Sequence, residues 1–222
     1  MNVKKTYAVA VDGPAGAGKS TVAKKVAEVL NIEYIDTGAM YRALTYKVLK
    51  EGIDPLDSKE VIRLLGSTKI DFNQRSIYLD NLNVDSEIRL NRVSQNVSYI
   101  AAIEKVREEM VRIQQNMAKE KSIIMDGRDI GTVVLPDAEF KFFITASSKE
   151  RAKRRYEELL RRGEVNISLE EIQSDIEARD NIDSNRKVGP LKQAPDAHLI
   201  DTTNKTVDEC VKIMVSTILG GN

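Results

Sequence analysis

Residues 12–21 read Asp-Gly-Pro-Ala-Gly-Ala-Gly-Lys-Ser-Thr. Within them Gly13-x-x-x-x-Gly18-Lys19-Ser20 has the spacing of a phosphate-binding loop. Glycines let the backbone curl so that successive N–H groups point inward at an anion. Gly13, Pro14, Ala15, Gly16, Ala17 and Gly18 form the curl, and Lys19, Ser20 and Thr21 open a helix whose N-terminus adds partial positive charge. Lys19 can reach the β- and γ-phosphates, and the Ser20 hydroxyl can ligate Mg²⁺. The chemistry is that of a nucleoside triphosphate with magnesium, which kinases, GTPases and motor ATPases share.

Other chemistry-bearing residues lie far along the chain. Arg42 follows Asp36-Thr37-Gly38 and is placed in the first turn of a helix, where a cation is unfavourable unless an anion is bound. Gly127-Arg128-Asp129 ends the apolar run Ser122–Asp126, an acid-terminated strand of Walker-B form. Arg151, Arg154, Arg155, Arg161 and Arg162 crowd one helix before Gly163; Arg151, Arg155 and Arg162 share a face, and Ala152, Tyr156, Leu159 and Leu160 supply its packing side. Such arginines can stabilise a transferring phosphoryl group from a closing flap. Arg179, Asp183 and Arg186 continue the apolar stripe of Leu169, Ile172 and Ile176. Charges on a buried stripe are costly unless paired or bound to a ligand.

Short apolar runs must place these groups. Tyr7–Val11, Ile32–Asp36, Ser122–Asp126, Phe140–Thr145 and His198–Asp201 read as strands. Helical patterns alternate with them: Gly18–Leu30, a helix through Lys50, Ser86–Val97, Ile100–Ala118, one opened by the capping box Ser168-x-x-Glu171, and Val207–Leu219 with Val207, Val211 and Val215 inward. Ser58 is expected to cap a short helix, Lys59–Leu65. This alternation predicts an α/β fold of the P-loop NTPase type, an open parallel sheet of about five strands with its ligand crevice at the strand C-termini. Between residues 66 and 98 the period changes to two: Lys69–Asn73, Ser76–Asp80 and Leu82–Val84 read as a small antiparallel meander. The expected organisation is a core of residues 1–65 and 99–222, a monophosphate-binding insert at 66–98, and a lid at about 154–166.

Composition narrows the classes. The 222 residues suffice for a substantial core. Charged residues make up 31% and balance at 34 basic to 34 acidic, which argues against a general nucleic-acid binder. Aromatic residues at 5% point the same way. A single cysteine, Cys210, excludes an internal disulfide and reads as a small, partly buried hydrophobe. No run approaches a membrane span, and Met-Asn-Val-Lys-Lys-Thr leads into the first strand without a signal core. A soluble, cytoplasmic protein is expected, and a monomer, since no long exposed apolar stripe stands out. His198, the only histidine, reads as structural.

The crevice would hold more cations than one Mg-bound triphosphate requires. A second phosphorylated ligand explains the excess, so the simplest chemistry is γ-phosphoryl transfer to another phosphate. That acceptor, with a second pKa near ~6, needs no general base. Catalysis is then in-line positioning and charge neutralisation.

Four segments carry a family resemblance: Asp12–Thr21, Asp36-Thr-Gly-Ala-Met-Tyr-Arg42, Asp126-Gly-Arg-Asp-Ile-Gly-Thr-Val-Val134 and Arg179-Asp-Asn-Ile-Asp-Ser-Asn-Arg186. Over nearly its whole length the chain resembles the bacterial cytidylate (CMP/dCMP) kinases of the nucleoside monophosphate kinase superfamily. The resemblance implies ATP + CMP → ADP + CDP with Mg²⁺, and an enlarged monophosphate-binding domain at the meander. It places Arg42, Arg128 and Arg186 on the CMP phosphate, with Thr37 beside them. It gives Ser98, Arg107 and Asp129 to the cytosine edge, Arg179 and Asp183 to the sugar, and Arg154 to Gly163 to the lid, with Lys19, Arg128, Asp129, Arg154 and Arg162 at the catalytic centre. An Asp accepting from the cytosine amino group is chemically natural. Two departures stand out. Glu104 replaces the Pro frequent before Val-Arg of the long helix, and Gly189-Pro190-Leu191 replaces Ala-Pro-Leu, an exchange expected to be neutral. The alternatives are another P-loop small-molecule kinase (UMP/CMP- or adenylate-type, or one with a non-nucleotide acceptor), or a nucleotide switch or RNA-associated NTPase. The switch lacks a guanine-reading Asn-Lys-x-Asp motif.

Overall fold

The computed structural model describes residues 6–73, 76–119, 121–161, 163 and 168–220. Five parallel strands form the main sheet in the order β2-β6-β1-β7-β8: β1 Ala8–Asp12, β2 Glu33–Asp36, β6 Ile123–Gly127, β7 Phe140–Thr145 and β8 His198–Asp201. The central strands β1 and β6 are buried almost throughout, as near-continuous apolar runs in a two-sided parallel sheet should be. The chain leaves β1 towards β2 and β6, then crosses to β7 and β8. The C-terminal ends of the central strands therefore bound the crevice at this reversal.

Helices α1 Lys19–Leu30 and α8 Val207–Ile218 cover one face through Val22, Val26, Cys210 and Met214. The inward face of α8 is carried by Cys210 and Met214, with Val207, Val211 and Val215 only partly buried. The buried centre of the stripe is rotated by one position from that expected, and the valines pack at its edge. Cys210 is fully buried.

The meander forms as β3 Ile70–Asn73, β4 Ser76–Leu79 and β5 Leu82–Asn83, antiparallel throughout. Asp80 and Asn81, both at positive φ, make the second turn. Ile70, Ile77 and Leu79 pack into one core with α2 Thr37–Lys50, α4 Asn91–Ala102 and α5 Glu104–Met117. The α4/α5 break falls at the extended residue Ile103, not near residue 98. Ile100 belongs to the buried face of α4, so a stripe that reads as one helix is two joined at an angle. Helix α3, Ser58–Leu65, is capped by Asp57, whose carboxylate accepts from Lys59 and Glu60, and not by Ser58.

Helices α6 Ser148–Arg161 and α7 Leu169–Asn185 pack together through Ala152, Leu159, Ile172 and Ile176. The Ser168/Glu171 capping box forms as expected. Leu160 is exposed, outside the packing side expected of it. Arg162 lies outside the described residues, as do residues 164–166 of the expected lid. Among the described residues, no helix is long and apolar enough to cross a membrane.

Candidate functional site

One cleft of about 500 Å³ opens at the C-terminal ends of the parallel strands. Lys19, Ser20, Thr37, Arg42, Ser98, Arg107, Arg128, Asp129, Arg154, Arg179, Asp183 and Arg186 all line it. Residues from seven separate stretches of chain thus converge on one space. Their sequence spacing gives no hint of this beyond the strand ends and the α7 stripe.

The loop after β1 is built from backbone. Gly13, Gly16 and Gly18 take positive φ. A Cβ on Gly13 would sit 1.9 Å from the Ile144 carbonyl oxygen, so only glycine lets the loop start so close to β7. Pro14 and Ala17 are buried, while Ala15, Gly16 and residues 18–21 face the cleft. Lys19 is buried and donates from Nζ to the Pro14 carbonyl at 2.7 Å. Burial and the Arg128 guanidinium hold its ammonium well below the ordinary lysine range. Such a lysine is held in register by its own loop and gains strongly from an anion.

Beside it Ser20 Oγ donates to Asp126 Oδ2 at 2.7 Å, and the Tyr34 hydroxyl donates to Asp126 Oδ1 at 2.9 Å. Thr37 Oγ1 donates to the Asp126 carbonyl at 2.7 Å, tying α2 to the end of β6. Burial, then the nearby Asp36 carboxylate, push Asp126 up to about 6. A hydroxyl and a carboxylate short of positive charge suit a hard divalent cation, which keeps most of its waters and takes few protein oxygens.

Asp36 caps α2 by accepting from Ala39 at 3.0 Å and pairs with Arg42 at 2.7 Å and Arg89 at 3.3 Å. Burial alone would raise its pKa; Arg42 and Arg89 override this and hold the carboxyl low. Because α2 starts at Thr37, Arg42 stands in the second turn, not the first. Its anion is the helix's own cap.

The far wall is an ion network. Arg107 pairs with Asp129 in a fully buried contact, and its guanidinium lies 5.6 Å from the Tyr41 ring centroid. Arg186 reaches Asp129 at 3.5 Å and Asp183 at 3.7 Å. Asp183 also takes Arg128 Nε at 2.9 Å, Arg179 at 3.9 Å and the Ser98 hydroxyl at 3.2 Å. Burial pushes Asp129 up. For Asp183 burial acts the same way, but Arg128, Arg179 and Arg186 overcome it and hold the carboxyl low. Among the described residues, Arg42 Nε, Arg107 Nε, Arg179 Nε and Arg186 Nη2 are buried N–H groups without a hydrogen-bond partner. Buried donors are rarely left so, and four in one cleft mark a surface made to meet acceptors on a ligand.

Arg154 donates to the Thr202 carbonyl at 2.7 Å and to its hydroxyl at 3.0 Å, which holds it beside Gly18. Arg155 pairs with Glu158 at 2.9 Å. Arg151, read from the sequence as part of an arginine face, turns inward. It donates to the Ala15 carbonyl at 3.0 Å and pairs with Asp180 at 2.7 Å, which ties the loop to α7. Sequence reasoning also missed Tyr34, Arg89 and the clamp by Asp12, which accepts from Ile130 N at 2.7 Å and Gly131 N at 2.8 Å. Only Asp12 carried a signal, an acid directly before the glycine loop.

A parallel sheet with a lysine-bearing glycine loop after its central strand defines the class, a P-loop NTPase-type fold. Solved structures share the architecture at low identity. A gluconokinase from Sinorhizobium meliloti superposes with TM-score 0.51 at 13% identity, over 97% of this chain and 94% of that one. An uncharacterized protein from Eubacterium ventriosum gives 0.53 at 14%, over 97% and 99%.

Sequence comparison names the family. The model of the cytidylate kinase family matches residues 9–219. The chain is 55% identical over 210 residues to the cytidylate kinase of Clostridioides difficile, covering 95% of this chain and 97% of that one. It is 55% identical over 207 residues to that of Limosilactobacillus reuteri, 91% of each, and 51% over 212 residues to that of Alkaliphilus oremlandii, 96% and 97%. The chain belongs to the cytidylate kinase family and is a nucleoside monophosphate kinase.

Proposed function

We propose that the cleft transfers the γ-phosphoryl group of ATP in line to the phosphate of CMP or dCMP, giving CDP or dCDP. The observation that supports this best is that Arg42, Arg107, Arg179 and Arg186, each with a buried N–H that lacks a hydrogen-bond partner, line the same cleft as the phosphate loop. Lys19 and eight guanidiniums (Arg42, Arg89, Arg107, Arg128, Arg154, Arg155, Arg179 and Arg186) line the cleft against six carboxylates (Asp36, Asp126, Asp129, Glu158, Asp175 and Asp183). The surplus suits a second anionic ligand beside the triphosphate.

The phosphate loop and α1 N-terminus cradle the donor phosphates, and Lys19 moves from the Pro14 carbonyl to the β,γ-oxygens as charge develops. Ser20, with Asp126 behind it, would hold Mg²⁺, which would supply neutralisation of the charge that develops on the phosphates. Arg42, Arg128 and Arg186 bind the acceptor phosphate, and Thr37 fixes the end of β6 next to them. The acceptor dianion is already a nucleophile, so no side chain has to remove a proton. Ser98, Arg107 and Asp129 read the cytosine edge; Arg179 and Asp183 hold the sugar. Arg154, anchored on Thr202, adds positive charge at the loop as part of a lid spanning about 154–166 with Arg162. The 66–98 segment serves as the monophosphate-binding insert.

The test is ADP production from Mg·ATP with CMP, dCMP, UMP, AMP, GMP or no acceptor. Turnover should favour CMP and dCMP strongly. Turnover led by UMP or AMP would keep the kinase and remove the base-reading roles. Hydrolysis indifferent to acceptor would overturn the reading.

A further inference from the structure

Arg151 belongs by sequence to a row of arginines on one helix, and the structure sets it apart from them. Its side chain is buried, and each nitrogen of its guanidinium is engaged. Nε donates to the Ala146 carbonyl at 2.9 Å, Nη1 donates to the Ala15 carbonyl at 3.0 Å, and Nη2 pairs with Asp180 Oδ2 at 2.7 Å. The three partners belong to the turn after β7, the phosphate loop and α7. A guanidinium is flat and its donors form a rigid fork, so the three partners are held in one mutual geometry.

A staple between α6 and α7 would not need this arrangement. Those helices already pack through Ala152, Leu159, Ile172 and Ile176. The bond to Ala15 adds something that packing does not, the setting of a peptide plane. A trans peptide points its C=O and N–H in opposite directions. With the Ala15 carbonyl held by the buried Arg151, the Gly16 N–H is turned away from it, and Gly16 lines the cleft. On the other arm, Asp180 Oδ1 is buried without a hydrogen-bond partner, so hydrogen bonding holds this carboxylate from the Arg151 side. Asp180 stands next to Arg179 and one turn before Asp183, where the ion network of the far wall converges.

We propose that Arg151 is a positioning residue for phosphoryl transfer: one guanidinium holds the phosphate loop and α7 in a common frame and so sets the separation between donor and acceptor phosphates. This rests on the assignment, made above, of the loop to ATP and of α7 to the monophosphate. Arg151 acts on the donor through the Ala15–Gly16 peptide. It acts on the acceptor through Asp180 and the turn of α7 that carries Arg179 and Asp183.

Arg151→Lys tests it. A lysine keeps the charge, but its single ammonium does not reproduce the fork. At saturating ATP and CMP, kcat should fall roughly 10- to 10²-fold, the effect of an ångström-scale misplacement, while the Kd of each nucleotide alone, measured by calorimetry, changes less than about fivefold. Asp180→Ala frees α7 and leaves the bond to Ala15, and it should lower kcat in the same way. The double variant should be no slower than Arg151→Lys, because both changes remove one link. A merely structural ion pair would lower the urea midpoint and leave the kcat of the folded enzyme at the parent level. That result overturns the proposal, as does a multiplied loss in the double variant. A loss confined to the Kd of ATP would make Arg151 a support of the loop alone and overturn it equally. Should Arg151→Lys not fold, Asp180→Ala decides, and parent kcat in that variant refutes the role. The parent chain separates the two levels. Parent turnover that needs no CMP would fail the reading of the cleft itself. A parent that phosphorylates CMP, beside variants of undiminished kcat, would keep that reading and remove the role of Arg151.

Discussion

The two walls of the cleft are made in opposite ways. The wall proposed for the phosphoryl donor is ten consecutive residues, Asp12–Thr21, and its shape comes from backbone, with Gly13, Gly16 and Gly18 at positive φ. The wall proposed for the acceptor takes side chains from α2, α4, α5, the turn after β6 and α7, and its shape comes from ion pairs and the Ser98–Asp183 hydrogen bond. A backbone wall carries its geometry with it wherever the strand and helix pack. A side-chain wall exists only when five elements arrive together, and each partner lost leaves buried charge behind. The first should fail locally under mutation, and the second collectively.

Lys19→Ala is expected to have the largest effect. Turnover should drop roughly 10²–10³-fold or more, since a preorganised charge at the transferring group is lost, while the circular dichroism spectrum and CMP binding remain. Near-normal activity would remove the loop from the chemistry.

Asp183→Ala should break the acceptor wall as a unit. Arg128, Arg179, Arg186 and Ser98 all converge on it. Removing one partner of a buried ionic network costs about 3–5 kcal/mol. Denaturant unfolding should show that loss, together with a raised KM for CMP. A loss below about 1 kcal/mol, the scale of an exposed pair, would mean that the network is solvated.

Asp129→Ala should spare ATP and weaken CMP, because a site built around a donor–acceptor pair loses discrimination when one partner goes. Equal losses for CMP and UMP would count against Asp129 as the cytosine reader.

The smallest effect is on pH dependence, and it has opposite sign at Asp12 and Asp183. Asp12 is pushed up to about 6 by burial, from an ordinary 3.8. The folded chain keeps that proton while the unfolded chain loses it, so this group's contribution to stability falls as pH rises from about 4 to 6 and is level above. Asp183 is held low, so its contribution is full above the ordinary carboxylate value and is lost as pH falls through its folded pKa. Urea midpoints between pH 4 and 6 should fall less steeply with rising pH in Asp12→Asn than in the parent chain. An unchanged slope would mean that Asp12 titrates normally.

The donor wall was legible because its determinants are local. Gly13-x-x-x-x-Gly18-Lys19-Ser20 between an apolar strand and a helix needs no distant partner to be read. The α7 stripe was legible for a similar reason, since Arg179, Asp183 and Arg186 continue the period of Ile172 and Ile176, and Asp183 and Arg186 are buried as that period requires. Ser98 and Arg107 carried no pattern of their own. Family resemblance alone pointed to them, and the α4/α5 break at Ile103 went unseen because Ile100 and Ile103 fit a single helical repeat. Arg89 and Tyr34 were opaque in their partners, since Asp36 and Asp126 reach them across the fold; Arg42 meets Asp36 only six positions away, at the cap of its own helix.

The sequence by itself determined the alternation of strands and helices, the phosphate loop and the antiparallel insert, because hydrophobic period, glycine conformation and turn chemistry act over a few residues. Only the tertiary structure decided which charges face one another. Pairing Arg107 with Asp129 over 22 positions and Arg128 with Asp183 over 55 is set by how helices cross the ends of a sheet. The reach of Arg151 to both the loop and α7 is a matter of ångströms, and the ångström scale belongs to packing, where every neighbour excludes the rest.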